Sequence, residues 1–246
     1  MSKLNITRPK TKEADISEKG KNEAGEMISM NRRLFMQLLV FTKCNRIDPL
    51  LEQVRESNVQ AVVYEELNDP EGIGLMTFSE DPSYFLTAVR PLVNSGLFDS
   101  LTPKREMTMI GRTYSIGYEQ DLEYTLIKKP ISRVTDPNLP WAIFYPLRRS
   151  GKFEQISPSE QRTILMEHGG IGRAYASKEY GFDIRLACHG LDKNDNDFVT
   201  GLLGKELFPL SHIVQRMRKT TQTSQYLESL GPFFVGKAVY QWQPES

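Results

Sequence analysis

The sequence predicts an α+β fold of two tandem ferredoxin-like halves, with helices outside the sheets. Three observations predict it. The pattern strand–helix–strand–strand–helix–strand occurs twice, a proline-containing connection (PISRVTDPNLP) separates the two copies, and the helical segments carry 3.6-residue apolar periodicity.

In the first copy, RLFMQLLVF reads as a strand, DPLLEQVRES as a short helix, and AVVYEEL and GIGLMTF as strands. SEDPSYFLTAVRPLVNSG reads as a helix, because Phe85, Val89, Leu92 and Val93 share one face and Gly96 stops it. EMTMIGRTYSIGY completes the copy as a strand. In the second, WAIFYPLRR is a strand and SPSEQRTILMEHGGIGRAY a helix, opened by a capping box (Ser157 to Glu160) with Pro158 at the first helical position. DIRLACHGL and DFVTGLLG are strands around a DKNDN turn, LFPLSHIVQRMRKTTQTSQY is a helix, and FFVGKAVYQW is the last strand. The halves span 31–129 and 130–246. Residues 1–30, with no aromatic side chain and many interspersed Lys and Glu, read as a mobile tail.

Composition narrows function. The 246 residues carry 31 Lys+Arg against 31 Asp+Glu, so the charge balance gives no reason to expect nucleic acid or an anionic membrane as a partner. Cys44 and Cys188 lie far apart, without the spacing of a disulfide framework or a thiolate zinc site, which fits a reducing cytoplasm. The longest apolar runs, such as LFMQLLVF, are too short to span a bilayer, and the N-terminus shows no secretory apolar region. GGIGR follows a helix instead of a strand, and GLLGK lacks the full glycine spacing and the hydroxyl residue after Lys205, so neither is a phosphate loop. DKNDND places Asp197 where a calcium loop needs glycine, and it reads as a polar hairpin turn.

His168 stands out among three histidines. It lies three and four residues after Leu165 and Ile164, on their face of the helix, and Gly169-Gly170 leaves room beside it. By spacing alone it is either a hydrogen-bonded core histidine or a ligand facing a cofactor.

The strings around it resemble the chlorite dismutase family, which includes the coproheme decarboxylases: FYPLRR (144–149), MEHGGIGRAY (166–175), HGLDKND (189–195), RMRKTTQTSQY (216–226) and GPFFVG (231–236). The likeness covers roughly residues 130 to 240 well. The first half matches more loosely, through its strand order and YSIGYEQDLEY. The resemblance implies a dimeric α+β barrel, ring assembly as a homo-oligomer (usually a pentamer), and an iron porphyrin, haem b or coproheme, in the second half. It implies that His168 is the iron ligand, Tyr145 the redox-active tyrosine, and Arg149 a propionate-binding cation where the decarboxylases have lysine. Arg133 (with a one-residue offset), Arg218 and Thr223 are implied as further propionate contacts. On composition alone Tyr145 could equally be a barrel-wall residue and Arg218 a solvated helix charge.

Two positions depart from the family. Asp183 occupies the place of its distal arginine or glutamine, while Arg185, two residues on, points to the same strand face; Phe153 replaces a common tryptophan. The function implied is a peroxide-dependent oxidoreductase, most concretely a coproheme decarboxylase using hydrogen peroxide. The alternatives are chlorite dismutation and a non-catalytic haem carrier or sensor.

Overall fold

The computed structural model describes residues 14–243, so the first thirteen residues of the expected mobile tail lie outside the described residues. The remainder of that segment is not a free tail. Glu18–Lys21 (β1) and Met27–Met30 (β2) form an antiparallel hairpin turned at Gly25, which has φ +82°. Tertiary contacts hold it. Glu18 accepts hydrogen bonds from the Ser115 N–H and hydroxyl at 2.9 and 3.1 Å, the Lys21 N–H donates to the Glu119 carbonyl at 2.9 Å, and Ile28 and Met30 pack on the main core. Few apolar side chains suffice because a preformed surface receives them.

The first half runs Phe35–Thr42 (β3), Ile47–Glu56 (α1), Ala61–Glu66 (β4), Ile73–Ser79 (β5), a π-helical turn over Phe85–Val89 leading into Arg90–Val93 (α2), Thr102–Pro103 (β6) and Met109–Arg112 (β7). A second π turn, Tyr124–Lys128, leads into Lys129–Val134 (α3). The second half runs Trp141–Arg149 (β8), Gly151–Gln155 (α4), Pro158–Ala176 (α5), Phe182–Ala187 (β9), Phe198–Gly204 (β10), Leu207–Met217 (α6), Thr221–Tyr226 (α7), Leu227–Leu230 (β11) and Phe234–Gln241 (β12).

Four segments differ from the sequence reading, each for a local reason. The predicted helix over 79–96 shortens, and a helix occupies the connection across the expected boundary at residue 130. In both places the π turn precedes a proline, Pro91 or Pro130, whose missing N–H interrupts the i→i−4 ladder. The predicted strand over 106–118 pairs only through Met109–Arg112, because the Glu119 carboxylate gathers the N–H groups of Ile116, Gly117 and Tyr118 at 2.7–2.9 Å into a turn. The long last helix splits at Thr220, whose hydroxyl caps the next helix by accepting from the Thr223 N–H.

Ten strands form one antiparallel sheet; β6 and β11 are side additions, and the other eight close on themselves in the order β8-β10-β9-β7-β3-β5-β4-β12. Within each half the order is that of a ferredoxin-like sheet, so the molecule is an α+β barrel of two such halves. The two seams between halves are unequal. β4 and β12 pair from Glu66–Gly236 to Val62–Gln241, whereas β7 and β9 meet only at Arg112–Ala187. Next to β9, to which Lys129 is tied through Asp183, α3 buries Pro130 and Val134.

Side chains alternate between a barrel interior, shared by both halves, and two outer faces, each covered by its own helices. The interior includes Leu38, Tyr64, Phe78, Phe144 and Phe234. Two glycines make room for the rings: a Cβ on Gly74 would stand 2.5 Å from the Phe234 ring, and one on Gly201 2.5 Å from the Phe144 ring.

Candidate functional site

The outer face of the second half departs from simple packing. Strand register aligns three adjacent strands in rows: Ile143–Leu202–Asp183, then Tyr145–Thr200–Arg185, then Leu147–Phe198–Ala187. Paired residues in an antiparallel sheet share a face, so Asp183, Arg185, Tyr145 and Thr200 project together, with Arg149 following by alternation along β8.

Helix α5 lies over this face. Its capping box is formed as the sequence predicts, with the Glu160 N–H donating to Ser157 Oγ and the Ser157 N–H to Glu160 Oε2. The helix continues through the glycines to Ala176, turning His168, Ile171 and Tyr175 inward. Ile164 shares the partly buried side, whereas Leu165 is exposed. Beside Gly169, Gly170 and Gly172 an added Cβ would find nothing closer than 3.5 Å, so this stretch of α5 leaves space.

His168 is half-buried, and its Nδ1 lies 3.2 Å from Thr220 Oγ1. With the Thr220 hydroxyl donating to the Met217 carbonyl at 2.8 Å, the contact favours the tautomer that carries its proton on Nδ1. Nε2 is left with a lone pair and no hydrogen-bond partner among the described residues. Burial, and then the Arg149 and Arg185 cations, hold the imidazole pKa below its ordinary value, outweighing Glu167 and Asp183. His168 is thus kept neutral. Glu167 ties α5 to the start of α7 by accepting the Thr221 N–H at 3.0 Å.

Arg149 sits between rings, its guanidinium carbon 4.8 Å from the Phe153 centroid and 4.5 Å from that of Phe198. Burial lowers its pKa, and its buried Nε has no partner. Asp183 accepts a hydrogen bond from Lys129 Nζ at 3.5 Å and forms an ion pair with Arg185, whose Nε lies 3.1 Å from Oδ2. Burial pushes this carboxyl up, but Lys129 and Arg185 together hold it below its ordinary value. Tyr145 is buried and stacked on Phe233 at 4.7 Å; burial pushes its phenol up to about 12, against a smaller opposing effect of Thr200.

Arg218, at the end of α6, is exposed, close enough to act electrostatically on Tyr145, and in no ion pair among the described residues. Thr223 adjoins Thr220, with hydroxyl oxygens 3.3 Å apart. Arg133 is not on this face: it covers the ring of Phe182 at 3.7 Å, and Phe182 belongs to the alternate, barrel-facing set of β9. Its buried Nε is also without a partner.

Sequence reasoning missed three contributors. Thr220 lay unremarked inside a segment read as one helix, and Lys129 was only one lysine among many. Tyr114 packs on Phe198 at 5.5 Å and has its phenol pushed up by burial, with Arg185, Arg149 and Asp183 nearby. The other two histidines are differently engaged: His189 is exposed beside Asp197, and His212 pairs with Tyr175.

Among the described residues, no three His, Cys, Asp or Glu side chains converge to hold a bare metal ion. A single neutral histidine holds iron when the metal brings most of its own ligands, as in a porphyrin. The free Nε2, the space beside the α5 glycines and the partnerless Arg149 Nε therefore suit a planar, carboxylate-bearing metal ligand.

The chlorite dismutase family profile matches residues 42–239. A haem-binding protein from Thermus thermophilus is similar at TM-score 0.66 and 19% identity, over 85% of this chain and 92% of that one. A mutant chlorite dismutase from Candidatus Nitrospira defluvii is similar at TM-score 0.66 and 15% identity, over 85% and 92%. At these identities the structural likeness is one of fold.

Proposed function

The chain belongs to the chlorite dismutase family, and from that premise we propose that it binds an iron porphyrin through His168 Nε2 and acts as a peroxide-dependent oxidoreductase, most specifically on coproheme. The observation that carries this reading is the Nδ1 contact to Thr220, which favours the Nδ1–H tautomer and leaves the Nε2 lone pair free for a metal.

Bound iron porphyrin supplies the redox chemistry with peroxide. The chain's own residues do the rest. Arg149 offers a planar fork to a propionate, and Arg218 a second unpaired cation; Thr223 stands as an additional propionate contact, whereas Arg133, held over Phe182 on the barrel side, is left out of the set. A porphyrin with four propionates would use more of these cations than haem b. Tyr145, shielded from water and paired in register with Thr200, is positioned to give up an electron and its phenolic proton. Asp183, kept anionic by Lys129 and Arg185, can take a proton from hydrogen peroxide at Oδ2 while Arg185 steadies the charge left behind.

That carboxylate favours neutral peroxide over chlorite, because an anion approaching this face meets a like charge. We accordingly rank chlorite dismutation second, and assembly as a ring of identical subunits is part of the proposal. The test is to titrate the purified protein with coproheme and haem b, add hydrogen peroxide, and identify the porphyrin products by mass. Loss of carbon dioxide from coproheme is expected; rapid oxygen release from chlorite that vanishes in Arg185→Ala would reverse the ranking.

A further inference from the structure

We propose that Tyr175 and His212 form a second redox site, a tyrosine with its own proton acceptor, and that Tyr180 is its outlet to a soluble phenolic reductant. The pair takes no part in the binding described above. Tyr175 Oη lies 2.6 Å from His212 Nδ1, bridging α5 and α6, and the phenol ring is buried. In the tautomer that carries its proton on Nε2, His212 presents the Nδ1 lone pair to this hydroxyl, which has no other acceptor among the described residues.

A buried phenol loses an electron readily only if its proton leaves at the same time, since a ring cation would be unsolvated. Here the Arg216 guanidinium, 6.0 Å from the ring centroid, makes such a cation still less favourable. His212 provides the alternative. The Oη–H bond breaks, an Nδ1–H bond forms, and one electron leaves the ring. An iron porphyrin held at His168 would supply the electron acceptor, with peroxide as the oxidant, and in this respect the proposal rests on the function proposed above. Tyr175 lies seven residues beyond His168 on the same face of α5, about 10 Å along the helix axis, and shares an apolar cluster with Tyr145.

The path continues outward. The Tyr180 ring is 6.3 Å from Tyr175 and 55% exposed. An external phenol meeting Tyr180 gives one electron and releases one proton to water, while the proton on His212 returns to Tyr175 Oη. Two such phenols balance the reduction of one hydrogen peroxide to two waters. A reductant too large to enter beneath α5 could thus be oxidised at the surface.

The test uses the full-length protein, first without porphyrin, photo-oxidised with ruthenium tris-bipyridine and persulfate while tyrosyl radicals are followed by electron paramagnetic resonance and transient absorption. A fast tyrosyl phase is expected in the parent. It should disappear in Tyr175→Phe and slow about 100-fold in His212→Gln, where the side chain still accepts a hydrogen bond but cannot take the proton. Without any substitution, the phase should also slow in D2O. In Tyr180→Phe the radical should form normally but lose its quenching by a phenol tethered to polyethylene glycol. A fast phase that survives Tyr175→Phe, or equal rates in His212→Gln and parent or in H2O and D2O, would overturn the proposal. Repeating the measurement with added haem and peroxide separates the two readings: a fast phase driven by ruthenium but not by peroxide supports the pair and counts against the cofactor assignment.

Discussion

The two halves share a sheet topology and differ on their outer faces. In the first half the middle row across three strands is Leu39–Leu75–Val63; in the second it is Tyr145–Thr200–Arg185. Around the first row, Leu50, Val54, Phe85 and Phe98 close an apolar layer, with Gln37 and Thr77 paired in the next row as its polar members. Around the second, Leu210, Ile213 and Tyr175 close only part of the face, and His168, Arg149 and Asp183 line the rest. The comparison teaches that a duplicated architecture can place stability in one copy and chemistry in the other. Apolar burial stabilises the fold at about 25 cal/mol per Å², and a face given over to cations and a carboxylate gives up part of that gain for binding capacity.

Exchanging the middle-row residues should break the comparison most sharply. Val63→Arg buries an unpaired guanidinium at a fully buried apolar position and should destabilise the protein by about 4 kcal/mol. The reciprocal Arg185→Val, at a side chain already 43% exposed, should stay within about 1 kcal/mol of the parent. Urea denaturation of the full chain measures both. A comparable loss from each would mean that the second face is as tightly packed as the first.

The next largest effect is on binding. His168→Ala should abolish the histidine-ligated ferrous porphyrin spectrum, while His189→Ala and His212→Ala keep it, because neither of those imidazoles combines a free ring nitrogen with a place on the polar face. An unchanged spectrum in His168→Ala would remove the chemical half of the comparison. Tyr145→Phe should leave porphyrin affinity nearly unaltered and stop peroxide-driven loss of carbon dioxide, read by product mass. Equal activity would reduce Tyr145 to a wall residue like Leu39.

Smaller effects sharpen the picture. Thr220→Val removes the acceptor for His168 Nδ1 and should weaken porphyrin affinity about 10-fold, measured by titration. Asp183 tests the electrostatics. Its folded pKa lies below the ordinary carboxylate value of 3.8, so it contributes stability above that pH that is lost as pH falls through the folded value. Asp183→Asn should therefore lower stability at neutral pH and flatten the acid limb of the stability–pH curve below about pH 4, where parent and variant converge; an acid limb identical to the parent's would show that Lys129 and Arg185 do not hold the carboxylate.

Periodicity and turn signals determined the strand–helix order of the two ferredoxin-like copies, the capping box the start of α5, and helical spacing the inward phase of His168. Periodicity also placed Asp183 and Arg185 on one strand face, because alternation is a local property of the backbone. The docking of the N-terminal hairpin was not readable this way, since its partners Ser115 and Glu119 lie about a hundred residues away in the chain. Nor were the π turns, where a proline's missing donor acts through the ladder of the preceding turn. The site shows the same division. His168, Tyr145 and Arg149 stood out by residue type and spacing, whereas the Thr220 hydroxyl that favours one imidazole tautomer and the Lys129 ammonium that holds Asp183 anionic are 52 and 54 residues from their partners. The barrel interior, the short β7–β9 seam and the displacement of Arg133 onto Phe182 likewise arose only on closure of the ring. Sequence records which face a side chain takes within its own element; which charge or hydroxyl it meets there is decided when separate elements pack.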